Sequence, residues 1–247
     1  MEIFNLANYH NNPSGKGSAF INNQKELKQK YQDLLNHIEN NMKIKWYNLN
    51  NKTLICHVLL PSTSLNKINY DILFSFNIDA TDLNTQKTIN YFPMQVFSNC
   101  PSFTFTYAYT FNKNNLLIPW LKSKIPNKVL TTNSEVRNKY NIITYEKSLY
   151  LATLFILDGR NNLSIVKQIA VPIKDTKQLY ANISRSDYIV DLYNNEKTKL
   201  DKKINQHKKP TITPKSDKSK LNKQTIKAVS KTAKVHKTAK TKKVKKI

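Results

Sequence analysis

The sequence predicts an α+β fold: a β-rich antiparallel sheet, arranged as a meander, small barrel or sandwich, with packed helices and a disordered C-terminal tail. Three observations predict it. Two stretches place apolar residues at every second position: Ile68, Tyr70, Ile72, Phe74, Phe76 and Ile78 in the first, and Phe103, Phe105, Tyr107, Tyr109 and Phe111 in the second. Successive strand side chains point to opposite faces, so this alternation gives one apolar and one wetter face, as in an antiparallel sheet. A helical stripe runs through Leu27, Tyr31, Leu34, Leu35 and Ile38. Finally, the apolar pattern stops near Lys197, and residues 196–247 hold 19 lysines and three acids, so about two-thirds of the net +24 lies in the last fifth of the chain.

In order, residues 1–22 read as an irregular N-terminal arm with a turn at Asn12-Pro13-Ser14-Gly15. The Gly15-Lys16-Gly17-Ser18 that overlaps this turn lacks the first glycine, the preceding strand and the hydroxyl spacing of a phosphate-binding loop. A globular domain follows over 23–195. It opens with an amphipathic helix, Gln24 to Met42, that covers one side of the sheet. The strands are Lys43–Tyr47, Thr53–Leu60, Ile68–Ile78, Thr88–Phe97 and Ser102–Phe111. Asn50-Asn51 turns the first pair as a hairpin, and Asp79 to Gln86 is a polar loop. Pro93 puts the fourth strand at an edge, or starts it. With only Gly15, Gly17 and Gly159 in the chain, turns fall to Asn, which tolerates left-handed backbone. Asn pairs stand at 22–23, 40–41, 50–51, 114–115, 161–162 and 194–195.

Beyond Asn115 the period changes. Leu116 to Lys124 makes a short helix around Trp120. Tyr145 to Leu157 makes a longer one, capped by Thr144, stopped by Gly159 and apolar in most directions. Leu163 to Val171 fits strand or helix, and Tyr188 to Tyr193 is the last apolar patch. The tail, 196–247, holds no aromatic residue and has too little apolar surface to offset its chain entropy.

Several chemistries find no support. Glycine-rich nucleotide folds need more glycines than three. Cys56 and His57 are adjacent, so in a strand they face opposite ways, and His10, His37, His207 and His236 show no ligand spacing. Asp79 and Asp82 lack the alternating oxygens and the glycine of a calcium loop. A Cys100 nucleophile with His57 as base would need a contact across the sheet. The expectation is therefore no enzyme, no cofactor and no metal. Two cysteines are too few for a disulfide scaffold, and the run Leu149 to Leu157 is far short of a membrane span. No secretory segment is evident, so the expected location is a host-cell cytoplasm or a virion, with no membrane partner.

The tail indicates the partner. Lysines along a flexible chain neutralise successive phosphates and release counterions, without reading bases. The nucleic-acid-binding residues expected are Lys202, Lys203, Lys208, Lys209, Lys231, Lys234, Lys237, Lys240, Lys242, Lys243, Lys245 and Lys246. Lys231-Thr232-Ala233-Lys234 recurs as Lys237-Thr238-Ala239-Lys240, and the segment is similar to the Lys/Ala-rich tails of linker histones and bacterial histone-like proteins. A plain solubilising tail is the alternative. Aromatics such as Trp46, Phe105, Tyr107 and Tyr109 can stack single-stranded bases, but alternating aromatics also build cores, and the 103–111 run carries no interleaved Lys or Arg.

The run from Tyr91 to Tyr109, Tyr-Phe-Pro-Met-Gln-Val-Phe-Ser-Asn-Cys-Pro-Ser-Phe-Thr-Phe-Thr-Tyr-Ala-Tyr, together with Glu146-Lys147-Ser148-Leu149-Tyr150, resembles uncharacterised structural or genome-associated proteins of tailed bacteriophages with AT-rich genomes. The resemblance implies a virion or replication context and carries no site residues. The function expected is nonenzymatic, sequence-independent nucleic-acid binding through the tail. The alternative is a virion structural or assembly protein acting through protein–protein contacts of the globular domain. DNA versus RNA, and oligomeric state, stay open.

Overall fold

Asn50 and Asn51 both take positive φ, 53° and 56°, as the two central residues of a hairpin turn closed by the Lys52 N–H donating to Leu49 O at 3.2 Å. With Lys52 they join β1 (Lys43–Leu49) to β2 (Thr53–Pro61). Asn48 Oδ1 accepts the Asn51 N–H at 3.1 Å. In the computed structural model, residues 4–11, 24–63, 65, 68–78, 88–133, 138, 143 and 146–207 are described. The Asn12–Gly15 turn, the Asp79–Gln86 loop, Asn22-Asn23 and Thr144 lie outside them.

β3 (Asn69–Asn77) pairs antiparallel with β2, and β4 (Met94–Ser98) with β3. A short β5 (Val171–Ile173) adds parallel to β1, so the order is β4-β3-β2-β1-β5. The sheet is therefore a mixed, five-stranded one rather than purely antiparallel. β4 starts directly after Pro93 and lies at one end of the strand order, so both readings of that proline hold. The register sorts two faces. Trp46, Cys56, Phe74 and Val96 form one row across the first face; Lys45, His57, Leu73 and Phe97 form one across the second.

The first face is covered by α5 (Lys147–Leu157), which is buried at every position from Ser148 to Ile156. Its outer side meets α1 (Leu6–Asn11) and α2 (Gln24–Ile38), so the helix is enclosed between layers. Its run of Leu, Tyr, Ala and Phe suits that place, since a helix buried all round needs no polar face. The N-terminal arm is thus not wholly irregular. Asn5 caps α1 by accepting the Asn8 N–H at 2.8 Å, Leu6 and Tyr9 are buried, and the Met94 N–H donates to the Phe4 carbonyl at 2.9 Å. A six-residue helix is too short to show a period in sequence.

The largest correction concerns Ser102–Phe111. The run is helical, with a π-helical turn at Phe103–Tyr107 continuing into α3 (Ala108–Lys113). The edge of β4 that a further strand would join is already taken: the Val96 N–H donates to Leu116 O at 2.8 Å, and the Ile118 N–H to Val96 O at 3.1 Å. Pro101, which has no N–H to lose, suits the first helical turn. The alternation misleads because both of its halves are used: Phe103 and Phe111 are fully buried, and Thr104, Thr106 and Thr110 are buried too. Tertiary pairing overrides β-propensity here.

Pro119–Lys124 forms the short helix expected around Trp120, as a 3-10 turn, and α4 (Asn127–Thr131) follows it. Asn162 caps α6 (Leu163–Ile169) through Oδ1, which accepts the Ile165 N–H at 3.2 Å, and Asn115 and Gly159 take positive φ. α7 (Lys177–Asn182) leads to α8 (Ser186–His207). α8 passes through the Asn194-Asn195 pair without a turn and continues beyond residue 196, where the tail was expected to begin. The first unit of the chain therefore runs to His207, and residues 208–247 form a second unit outside the described residues. Among the described residues no helix is long and apolar enough to cross a membrane.

The cap of α5 is Glu146. Its Oε2 accepts the Leu149 N–H at 2.9 Å and the Ser148 hydroxyl, while Oε1 is buried with no partner. Burial pushes this carboxyl above the usual range, against the opposing pull of the Ser148 hydrogen bond. A group whose folded pKa is raised favours folding fully below its unfolded pKa and loses that contribution as pH rises through the folded value. Glu146→Gln keeps the accepting oxygen and cannot ionise. Its Tm is expected to match wild type in acid below the ordinary carboxylate range. It should then exceed wild type by a margin that grows with pH and levels off. Thermal melts of both chains across pH check this, and a margin independent of pH would refute it.

Candidate nucleic-acid interface

α8 lies against the second face of the sheet and is tied there by one carboxylate. Leu59 stands opposite Asp71 in the register, so His57, two residues earlier in β2, is the diagonal neighbour of Asp71 on the same face. His57 Nε2 lies 2.9 Å from Asp71 Oδ1. Asp71 Oδ2 accepts the Asn99 amide at 2.8 Å and the Ser184 N–H at 3.2 Å. Asn99 also takes the Asp71 N–H at 2.9 Å and donates to Ser184 O at 3.3 Å. Asp71 is 6 % exposed, and a carboxylate so placed needs this set of donors. The network fixes the chain two residues before α8 begins. Sequence reading placed Asp71 on a wetter face and missed it; the signal was the hairpin register that brings it to His57.

His57 is thus committed to Asp71, and Cys100 meets other groups. The Cys100 thiol is pushed up to about 12, by burial first and by the nearby Glu146 second, while it accepts the N–H groups of Ser102 and Phe103. A thiol held protonated is no nucleophile. Burial raises Cys56 as well. The Cys100–His57 pair is not assembled.

Two cavities flank α8. The first, about 560 Å³, is lined by Lys43, Lys45, His57, Asp71 and, from α8, Tyr188 and Ile189. Lys43 and Lys45 are exposed and alternate on β1, so they share its second face. The second, also about 560 Å³, is lined by Ser102, Phe105, Thr106, Lys147, Tyr193 and Lys197, among others. Lys147, at the start of α5, donates to Thr63 Oγ1 at 2.9 Å, and Lys197 is exposed on α8.

Of the lysines expected to bind nucleic acid, Lys202 is exposed on α8, and Lys203 follows it in the same helix. Lys208, Lys209, Lys231, Lys234, Lys237, Lys240, Lys242, Lys243, Lys245 and Lys246 lie outside the described residues. Sequence reading passed over Lys43, Lys45, Lys147 and Lys197. The Lys-Ile-Lys alternation of β1 was a visible signal for the first two; nothing local links the other two, which sit fifty residues apart. No family model matches this chain, nor does any curated protein or solved structure.

Proposed function

We propose that the protein binds nucleic acid without reading its sequence, as a nonenzymatic protein of a bacteriophage, through lysines that neutralise backbone phosphates. The observation that carries this reading is the placement of charge. Residues 208–247 hold fifteen lysines and one acid, and α8 enters that segment with Lys197, Lys199 and Lys202 exposed. Phosphate contacts of this kind supply affinity and orientation but carry no base information. The test compares the full chain with residues 1–207 on a duplex of random sequence by gel shift. Truncation is expected to remove most of the binding at moderate salt. Binding unchanged by truncation would remove the role given to the C-terminal segment.

A virion assembly role is the second reading, favoured by one specific surface. Ile165 and Ile169, one helical turn apart on α6, are 53 % and 58 % exposed, and Val171 on β5 is 52 % exposed. β5 ends the strand order of the described residues, and a sheet edge with apolar side chains near it in sequence suits contact with another protein. Mass spectrometry of purified particles separates the readings: stoichiometric presence supports assembly, and absence counts against it.

A further inference from the structure

We propose that the cavity between the π-helical turn, α5 and α8 binds one unstacked nucleotide of a single strand, its base against Phe105 and its phosphate between Lys147 and Lys197. The inference rests on the nucleic-acid reading above and adds the strand type and the residues that recognise it. Within the aromatic run, Phe103 and Phe111 are fully buried, whereas Phe105 is 51 % exposed and lines the cavity. An aromatic ring left half in water beside a cavity offers a face on which any base can stack. The run has no cation of its own, but the fold brings Lys147 from α5 and Lys197 from α8 to the same cavity. Among the described residues that line it there is no acid, and Lys147, which gives one N–H to Thr63, keeps two more for an anion.

Two further observations point to a ligand. Thr106, only 5 % exposed, is among the residues lining the cavity, and its buried hydroxyl has no hydrogen-bond partner. Such an unpaired group disfavours the empty state unless something satisfies it. Phe105 and Thr106 also belong to a π-helical turn, a distortion that concentrates at functional sites. A cavity of about 560 Å³ lies within the range of small-molecule sites. A duplex keeps its bases stacked inside and cannot present one to Phe105, so the occupant is single-stranded.

The test uses the full chain and two fluorescein-labelled probes, a dT oligomer of about 12 nucleotides and a duplex of the same length. Phe105→Ala is expected to weaken dT binding roughly 5- to 100-fold and leave duplex binding unchanged. Phe105→Trp should retain dT affinity, and its added indole emission should be quenched by dT. The double variant Lys147→Gln/Lys197→Gln should weaken dT binding more than duplex binding. Phe105 is exposed, so its truncation leaves the core intact. Duplex binding that persists while Phe105→Ala binds dT as wild type does would overturn the cavity alone. Wild-type binding to neither probe would overturn the parent reading as well.

Discussion

Asp71→Ala is expected to destabilise the folded chain by about 3–5 kcal/mol, the range for removing one member of a buried, hydrogen-bonded pair. The carboxylate accepts from His57, Asn99 and the Ser184 N–H, and alanine leaves all three without it. Neither side chain regains water easily, since His57 is 9 % exposed and Asn99 fully buried. A loss of this size is a large share of the roughly 5–15 kcal/mol that holds a typical domain folded. Asp71→Asn keeps one accepting oxygen and should lose less. Asp187→Ala removes a carboxylate whose partner, Arg185, is solvent-exposed, and should change little. Urea titrations of the three variants check the order. The consequence for α8 is also measurable: amide protection from Ile189 to Tyr193 should fall in Asp71→Ala, because the chain entering the helix is no longer pinned at Ser184. A loss no larger than that of Asp187→Ala would show that the network does not hold the helix.

Much of the sheet was legible because its signals were local. Asn50-Asn51 supplied left-handed backbone where a hairpin needed it, and Ile68 to Ile78 kept one face apolar across a whole strand. The stripe from Leu27 to Ile38 and the apolar run from Leu149 to Leu157 likewise declared helices. What escaped was decided at long range. The run from Phe103 to Phe111 has the period of a strand, yet the edge of β4 had been closed by Leu116 and Ile118, and only the fold reveals that. Asp71 reads as a residue of a wet face until Ser184 and α8 meet that face. β5 has three residues, too few to signal a strand, and pairs with β1 more than a hundred residues earlier. The second cavity was illegible for the same reason: its aromatic wall, its two lysines and its unpaired hydroxyl come from three separate helices. The lysine-rich segment was the reverse case, since its charge is a property of composition and needs no fold to be read.

That charge sets the steepest dependence the molecule should display. Affinity of the full chain for random duplex DNA is expected to fall on the order of 10⁴-fold between about 50 and 200 mM monovalent salt. With roughly eight of the lysines seated on phosphates, the slope of log affinity against log salt is about −7, since each contact releases nearly one condensed counterion. The supply is ample, because residues 208–247 hold fifteen lysines against one acid. Residues 1–207 carry 25 basic and 15 acidic residues, so their charges partly cancel and their slope should be much shallower. A single strand condenses fewer counterions per phosphate, and the slope on oligo-dT should drop to about −6 for the same contacts. Any contribution from a stacked base adds affinity that salt does not erode, so at high salt dT should outlast duplex on the wild-type chain and not on Phe105→Ala. Fluorescence anisotropy across the salt series measures all three slopes. A full-chain slope as shallow as that of residues 1–207 would mean that the lysines beyond His207 do not sit on phosphates.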